Sequence, residues 1–218
     1  MNIHRDKYLQ KLINRMNNGL IKLVTGIRHS GKSYLIFNIF KNYLLKNKVD
    51  EDHIITVELD RVEYVHYREP LVILDYIKSQ IKDDKNYYIL LDEVQMLKQL
   101  EAVLDSLWSI NNVDIYLTLS NTNYLSGDIL RDFMGRCDEI HVYPLTFKEF
   151  SNVYNGERVW KNYYTYGGLP LVCTMETEEE KTEYLTNLFE ESYIKDILER
   201  NSIEKTEELN DLINILAS

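Results

Sequence analysis

Apolar residues along this chain concentrate in short stretches, one of them (87–91) unbroken, separated by stretches in which they recur every three or four positions. That alternation is the mark of buried parallel strands joined by amphipathic helices. Runs at 20–24, 53–59, 87–91, 113–119 and 137–143 read as strands. Between them, Ile36, Ile39, Phe40, Tyr43 and Leu44 share one helical face, and 70–81, 95–108 and 126–134 read as further helices, with Pro70 in a first turn. Ser126 is placed to open its helix and Gly135 to end it. The series is a βαβ alternation and predicts an α/β fold on a parallel sheet.

After Pro144 the strands stop. Helical patterns follow at 147–153, 158–166 and 178–199, with a Gly167-Gly168 break, so a helical subdomain is expected to begin near residue 146. Thr177 and Glu180 form a capping box, and dipole stabilisation then accounts for the acidic run Glu178-Glu179-Glu180. Leu209, Leu212, Ile213 and Leu216 make an apolar stripe that runs straight into the last residues. Either this stripe folds back on the helical part, or the chain is a fragment of something longer; the second is preferred.

The 218 residues suffice for one substantial core and a small appendage. A net charge of −10 and a pI near 5.0 argue against nonspecific nucleic-acid binding, which needs clustered Lys and Arg. Cys137 and Cys173 lie far apart with no paired histidines, so two reduced thiols are expected. The charged N-terminus lacks a signal-peptide core and no run has the length of a membrane span; these features predict a soluble, cytoplasmic protein with no membrane partner. His4, His53, His66 and His141 show no metal spacing. The 17 tyrosines lack an adjoining basic cluster and read as core and interface residues.

Chemistry enters at Gly26-Ile27-Arg28-His29-Ser30-Gly31-Lys32-Ser33, which matches the phosphate-loop pattern G-x-x-x-x-G-K-S at every required position. It stands between a strand and a helix, the order the motif needs. Glycines let backbone N–H groups wrap phosphates, and the helix N-terminus adds its positive dipole end. Lys32 is then expected to reach the β and γ phosphates, and the Ser33 hydroxyl to ligate Mg²⁺.

A second strand completes the reading. Tyr87 to Leu91 is wholly apolar and ends in Asp92-Glu93. Asp92 is expected to hold Mg²⁺ through water and Glu93 to orient and deprotonate the attacking water, two roles that need two carboxylates. The next strand ends in Ser120-Asn121, at the carboxyl edge where parallel sheets bind ligands. These residues contact either the γ-phosphate or its water, or else cap the next helix.

The ordered set G-I-R-H-S-G-K-S, I-L-L-D-E, L-T-L-S-N, M-G-R, H-V-Y-P-L-T-F-K-E-F, Y-G-G-L-P and Y-I-K-D-I-L-E-R resembles prokaryotic AAA+ ATPases related to the archaeal ATPase branch of the STAND group. The resemblance covers essentially the whole chain. It implies a P-loop NTPase with sheet order 5-1-4-3-2 and a small helical lid, ATP as the nucleotide, and Mg²⁺. It implies an ATPase core over 1–145, a lid over 146–203 and, over 204–218, the start of a truncated winged-helix-like segment. The family pattern puts a γ-phosphate sensor at Ser120 or Asn121 and Pro170 of Gly167-Gly168-Leu169-Pro170 near the nucleotide. It allows Arg5 and Tyr8 to contact adenine. It also makes Arg136 an arginine finger acting across a homo-oligomer interface; the alternative for Arg136 is an ion pair with Asp132 or Asp138. Arg28 is a further cation near the phosphates, and Arg200 matches a family motif but suits a helix surface equally. The chain departs from its relatives at Leu119, where they carry glycine, and at His29, where they carry a second arginine.

Three functions fit these residues. The leading one is Mg²⁺-dependent ATP hydrolysis coupled to lid movement or to control of assembly or a partner, whether protein or DNA. A phosphotransferase would use the same loop but needs an acceptor pocket and an arginine-rich lid. A slow ATP-dependent switch with incidental turnover needs Lys32 and Asp92 as much as a working ATPase does.

Overall fold

The computed structural model describes residues 3–120, 135–154, 156–190 and 206–217. Five parallel strands form one sheet: β1 (Ile21–Thr25), β2 (Ile54–Glu58), β3 (Tyr87–Asp92), β4 (Val113–Leu119) and β5 (Cys137–His141). Their spatial order is β2-β3-β4-β1-β5, which is 5-1-4-3-2 read from the other edge. In-register pairs Thr25↔Leu119, Leu91↔Leu117 and Thr25↔His141 align the carboxyl ends of β1, β3, β4 and β5.

The pleat explains why continuous apolar runs are needed here. Tyr87, Ile89 and Leu91 of β3 enter one core, with Ile73, Leu74 and Ile77 of α3 (Pro70–Gln80) and Val103, Leu104 and Leu107 of α4 (Leu100–Trp108). Tyr88 and Leu90 enter the opposite core, with Tyr8 and Leu12 of α1 (Asp6–Ile13) and Leu35, Ile36, Phe40 and Leu44 of α2 (residues 32–46). Every residue of β3 is buried because both faces are covered. Within α2, Leu35–Phe40 forms a π-helical stretch between α-helical ends.

Some elements differ from the expectation. The helix expected over 95–108 is broken: Val94–Met96 is a 3₁₀ turn, and α4 starts only after Gln99, whose φ of 48° is left-handed. The strands expected over 53–59 and 137–143 stop one or two residues early, since the chain must turn at the carboxyl edge. Helix α1 and a 3₁₀ segment, Val62–Arg68, add to the elements that the apolar pattern predicts. Arg15 anchors the end of α1 by an ion pair with Asp138 at 2.7 Å. The helix expected over 126–134 lies outside the described residues.

Beyond β5 come α5 (Phe147–Val153), α6 (Val159–Tyr166), the 3₁₀ turn Pro170–Thr174 and α7 (Glu178–Asn187). Both α5 and α7 open on complete capping boxes, Thr146 with Glu149 and Thr177 with Glu180. Buried Lys181 donates to the Tyr154 hydroxyl and Asn162 Oδ1 at 3.3 and 3.0 Å, joining α7 to α6. These helices meet the sheet through Leu145 N–H donating to the Gly168 carbonyl at 2.6 Å, so close that a β-carbon on Gly168 would lie 2.2 Å from the Leu145 oxygen. Helix α8 (Thr206–Ala217) carries the C-terminal apolar stripe. No described helix is long and apolar enough to cross a membrane.

Candidate nucleotide site

The loop between β1 and α2 turns because three of its residues take positive φ: Gly26 at 142°, His29 at 62° and Gly31 at 95°. Gly26 has no alternative, since a β-carbon there would meet the Val142 carbonyl oxygen at 2.2 Å. That carbonyl is fixed by the Val142 N–H bond to Thr25 at 2.8 Å, so β5 closes down on the loop. His29 has a β-carbon and accepts the left-handed region nonetheless. Its ring makes an edge contact with Tyr184 of α7 at 6.2 Å, and burial, then Lys32 and Arg28, holds its pKa below the usual imidazole range.

Lys32 is 3% exposed, and its ammonium folds back to donate to the Ile27 carbonyl at 2.9 Å. Burial lowers its pKa, while Glu93 and Asp92 oppose that shift. The Ser30 hydroxyl is fully buried with no hydrogen-bond partner among the described residues.

The acidic tip of β3 reaches the same place. Asp92, 2% exposed, accepts hydrogen bonds from the Thr118 hydroxyl of β4 and from Ser33 at the start of α2. Its pKa is pushed up to about 6, chiefly by burial, with those two hydroxyls opposing the rise. Thr118 Oγ1 also accepts the Glu93 N–H at 2.9 Å, so one hydroxyl fixes both acidic residues. Glu93 takes φ 51°, which turns its side chain away from the strand. Its carboxylate accepts from the Ser120 hydroxyl on one oxygen and from the Gln95 amide on the other.

Lys32, Ser33, Glu93, Gln95 and Ser120 line one cavity of about 520 Å³, a size suited to a small ligand, with Asp92 buried beside it against Ser33. Residues 28–34 form one wall, with Asp60, Glu93 and Ser120 facing them. Ile3, Arg5, Pro170 and Leu171 supply the mostly apolar end. Arg5 is buried there over the Tyr8 ring at 4.5 Å, donates to the Tyr143 carbonyl at 2.5 Å and lies 3.6 Å from the Glu149 carboxylate. Desolvation holds its pKa below the ordinary guanidinium value.

The structure thus brings together Lys32, Ser33, Asp92, Glu93, Ser120, Pro170 and the loop. Gly26 and Ile27 shape that loop from behind. Asn121 lies outside the described residues. Arg136 is elsewhere: its carbonyl accepts from Ile21 N–H at the amino end of β1, the sheet edge opposite the cavity. Its ion pair is also not with Asp138, one of the two partners expected. Arg136 pairs with Asp105 and lies 4.9 Å over the Trp108 ring, because those two residues sit three apart on α4 and face it together. Asp138 is taken by Arg15, and Asp132 lies outside the described residues.

Two residues that hold the acidic pair, Thr118 and Gln95, are not singled out by the sequence patterns. Thr118 is a hydroxyl one position before the end of a buried strand, and that placement beside an acidic strand tip was the available signal. Gln95, two residues after Glu93, sat inside a stretch read as helix; only the turn at Val94–Met96 brings it back to the cavity.

A parallel sheet with a glycine loop and a carboxylate pair converging at its carboxyl edge, on strands separated by β4, defines a P-loop NTPase. Within that class the chain belongs to the AAA-domain family of AAA+ ATPases, whose pattern matches residues 18–151. An uncharacterized Haemophilus influenzae protein is 31% identical over 99% of this chain and 55% of its own length. An uncharacterized Methanocaldococcus jannaschii protein is 28% identical over 98% of this chain and 49% of its own. The chain therefore spans about half the length of these relatives. Among solved structures, a DNA polymerase III gamma subunit-related protein from Thermotoga maritima superposes with TM-score 0.51 over 93% of this chain and 64% of its own, at 13% identity, a likeness of fold alone.

Proposed function

We propose that this chain binds ATP with Mg²⁺ in the 520 Å³ cavity and hydrolyses its terminal phosphoanhydride, with water as acceptor. One observation carries the reading: Ser33, next to Lys32, is hydrogen-bonded to Asp92, so the phosphate loop and the acidic strand tip meet at a single point.

The residues fit the substrate. Loop N–H groups and the α2 N-terminus hold the phosphates, and Lys32 exchanges its bond to the Ile27 carbonyl for phosphate oxygens. Asp92 and Ser33 are the groups that would hold Mg²⁺, which supplies charge neutralisation when bound. The Ser30 hydroxyl, buried in the loop and without a partner among the described residues, is a further donor within the loop. Glu93 takes a proton from water as the water oxygen bonds to the γ-phosphorus. The bond from that phosphorus to the β–γ bridging oxygen breaks, and ADP leaves with the electron pair. Ser120 orients Glu93, and Asn121 remains a candidate second sensor of the γ-phosphate.

Arg5, Pro170 and Leu171 are suited to the adenine end. The helices from residue 146 onward, joined to the loop by His29 and Tyr184, act as the lid whose movement reports nucleotide state. Arg136, on the far edge of the sheet, serves only a site on a second copy, which makes turnover a property of an assembly. The partner that the ATPase controls is a protein or DNA.

Two variants test this reading by equilibrium nucleotide binding and phosphate release. Lys32→Ala abolishes ATP binding. Glu93→Gln keeps ATP and loses hydrolysis; wild-type turnover by that variant removes Glu93 from its role. Tight ATP binding with negligible turnover at every protein concentration would instead establish the slow switch.

A further inference from the structure

Gln95 holds an orientation that anchoring Glu93 does not account for. A carboxylate only accepts, so the Gln95 amide must present Nε2 to Glu93, and this fixes which way the amide points. Its other atom, Oε1, is then buried with no hydrogen-bond partner among the described residues, in a side chain that lines the cavity. A buried acceptor left without a donor implies a partner that arrives in another state.

The surroundings say what that partner is. Gln95, Glu93 and Ser120 line the same cavity as Lys32 and Ser33. Each Glu93 oxygen accepts one protein hydrogen bond, from Ser120 and from Gln95, and each keeps lone-pair capacity for another donor. Gln95 Oε1 shares a carbon with the nitrogen that touches Glu93, so the two vacant acceptors stand side by side. A nucleotide phosphate offers only acceptors and cannot satisfy them. A water molecule offers two hydrogens and can satisfy both at once.

We infer that Gln95 is a water-positioning residue: its Oε1 accepts one hydrogen of the attacking water while Glu93 accepts the other, which aims the water oxygen's lone pair at the γ-phosphorus. The Nε2 bond holds the Glu93 carboxylate in the matching orientation. The proton that leaves in the reaction goes to Glu93, and the hydrogen on Gln95 stays with the transferred oxygen. This assignment rests on the hydrolytic reading of the cavity and adds to it the group that fixes the nucleophile's direction.

The test is Gln95→Leu, with Gln95→Met as a second variant of similar length that lacks both amide atoms, made in the full chain. Steady-state turnover is measured with binding of two complexes, ADP·beryllium fluoride, which mimics bound ATP, and ADP·aluminium fluoride, which mimics the transition state and includes the in-line water. A misdirected nucleophile lowers kcat by about 10- to 100-fold. KM and ADP·beryllium fluoride affinity should stay within about twofold of wild type, while ADP·aluminium fluoride binding weakens in parallel with kcat. Unchanged kcat, equal weakening of both complexes, or unfolding of both variants would each overturn the proposal, the last by assigning Gln95 to the fold. Glu93→Gln is the control: if it hydrolyses ATP normally, the hydrolytic reading itself fails. If it is inert while Gln95→Leu is unimpaired, only the role of Gln95 fails.

Discussion

Asp92 is where stability and the proposed function are opposed most directly, and Asp92→Asn measures the opposition. Burial raises its pKa from 3.8 to about 6. The folded state therefore binds a proton more tightly than the unfolded chain does. Between those two values folding takes up a proton, so stability falls as pH rises through the interval. Above the folded pKa the penalty is complete, and a shift of about two units corresponds to about 3 kcal/mol. Asparagine stands in for the protonated acid: its carbonyl accepts from Thr118, and its amide donates to the Ser33 oxygen. In metal-free buffer Asp92→Asn should thus be more stable than wild type by up to about 3 kcal/mol at pH 7.5. That advantage should shrink through pH 6 and vanish near pH 4. Urea unfolding followed by circular dichroism with a chelator present, at several pH values, reads the difference. An Asn variant equal to or weaker than wild type at pH 7.5, or a gap that widens toward acid, would refute the argument. The same variant should lose Mg²⁺-dependent nucleotide binding, since the destabilising charge is the one proposed to serve the metal.

Three further outcomes follow from the geometry. Thr118→Val keeps the shape of the residue but removes the hydroxyl shared by Asp92 and the Glu93 N–H; a loss of about 1–3 kcal/mol in urea unfolding is expected, together with a fall in turnover. Gly168→Ala puts a β-carbon 2.2 Å from the Leu145 carbonyl, which must break the contact joining the helices to the sheet. Thermal unfolding should show a loss of about 2 kcal/mol or more, and ATP affinity should fall because Pro170 and Leu171 move with the break. Arg136→Ala removes a half-exposed ion pair and a ring contact, so stability should change by no more than about 1–2 kcal/mol. If Arg136 completes a neighbour's site, turnover that rises with protein concentration should become slow and concentration-independent in this variant, and an unchanged profile would leave Arg136 structural.

What could be read from the sequence separates cleanly by physical cause. The central strand β3 was legible because a strand covered on both faces admits almost no polar residue, whereas the edge strand β5 (Cys-Asp-Glu-Ile-His) was placed by its position after the glycine break rather than by an apolar run; the loop was legible because its glycines answer to backbone contacts such as Gly26 against Val142. Lys32, Ser33, Asp92 and Glu93 followed from motif and strand end alone. What escaped depends on backbone breaks made by residues with no sequence preference for them: Gln99 and Glu93 adopt left-handed φ without being glycine, and between them the expected helix gives way to the turn that returns Gln95 to the cavity. Such a conformation is sustained by tertiary bonds, here Thr118 on the Glu93 N–H and the Ser120 and Gln95 side chains on its carboxylate. Arg136 failed to be read for a related reason. Its partners Asp105 and Trp108 lie on a helix distant in sequence, and only the sheet order, which puts β5 beside β1, brings the start of that strand within reach of α4. Motif residues announce themselves because backbone and phosphate chemistry constrain them locally. Residues that aim those motif groups are chosen by the fold, so a sequence shows them only after the register of β3 against β4 is known.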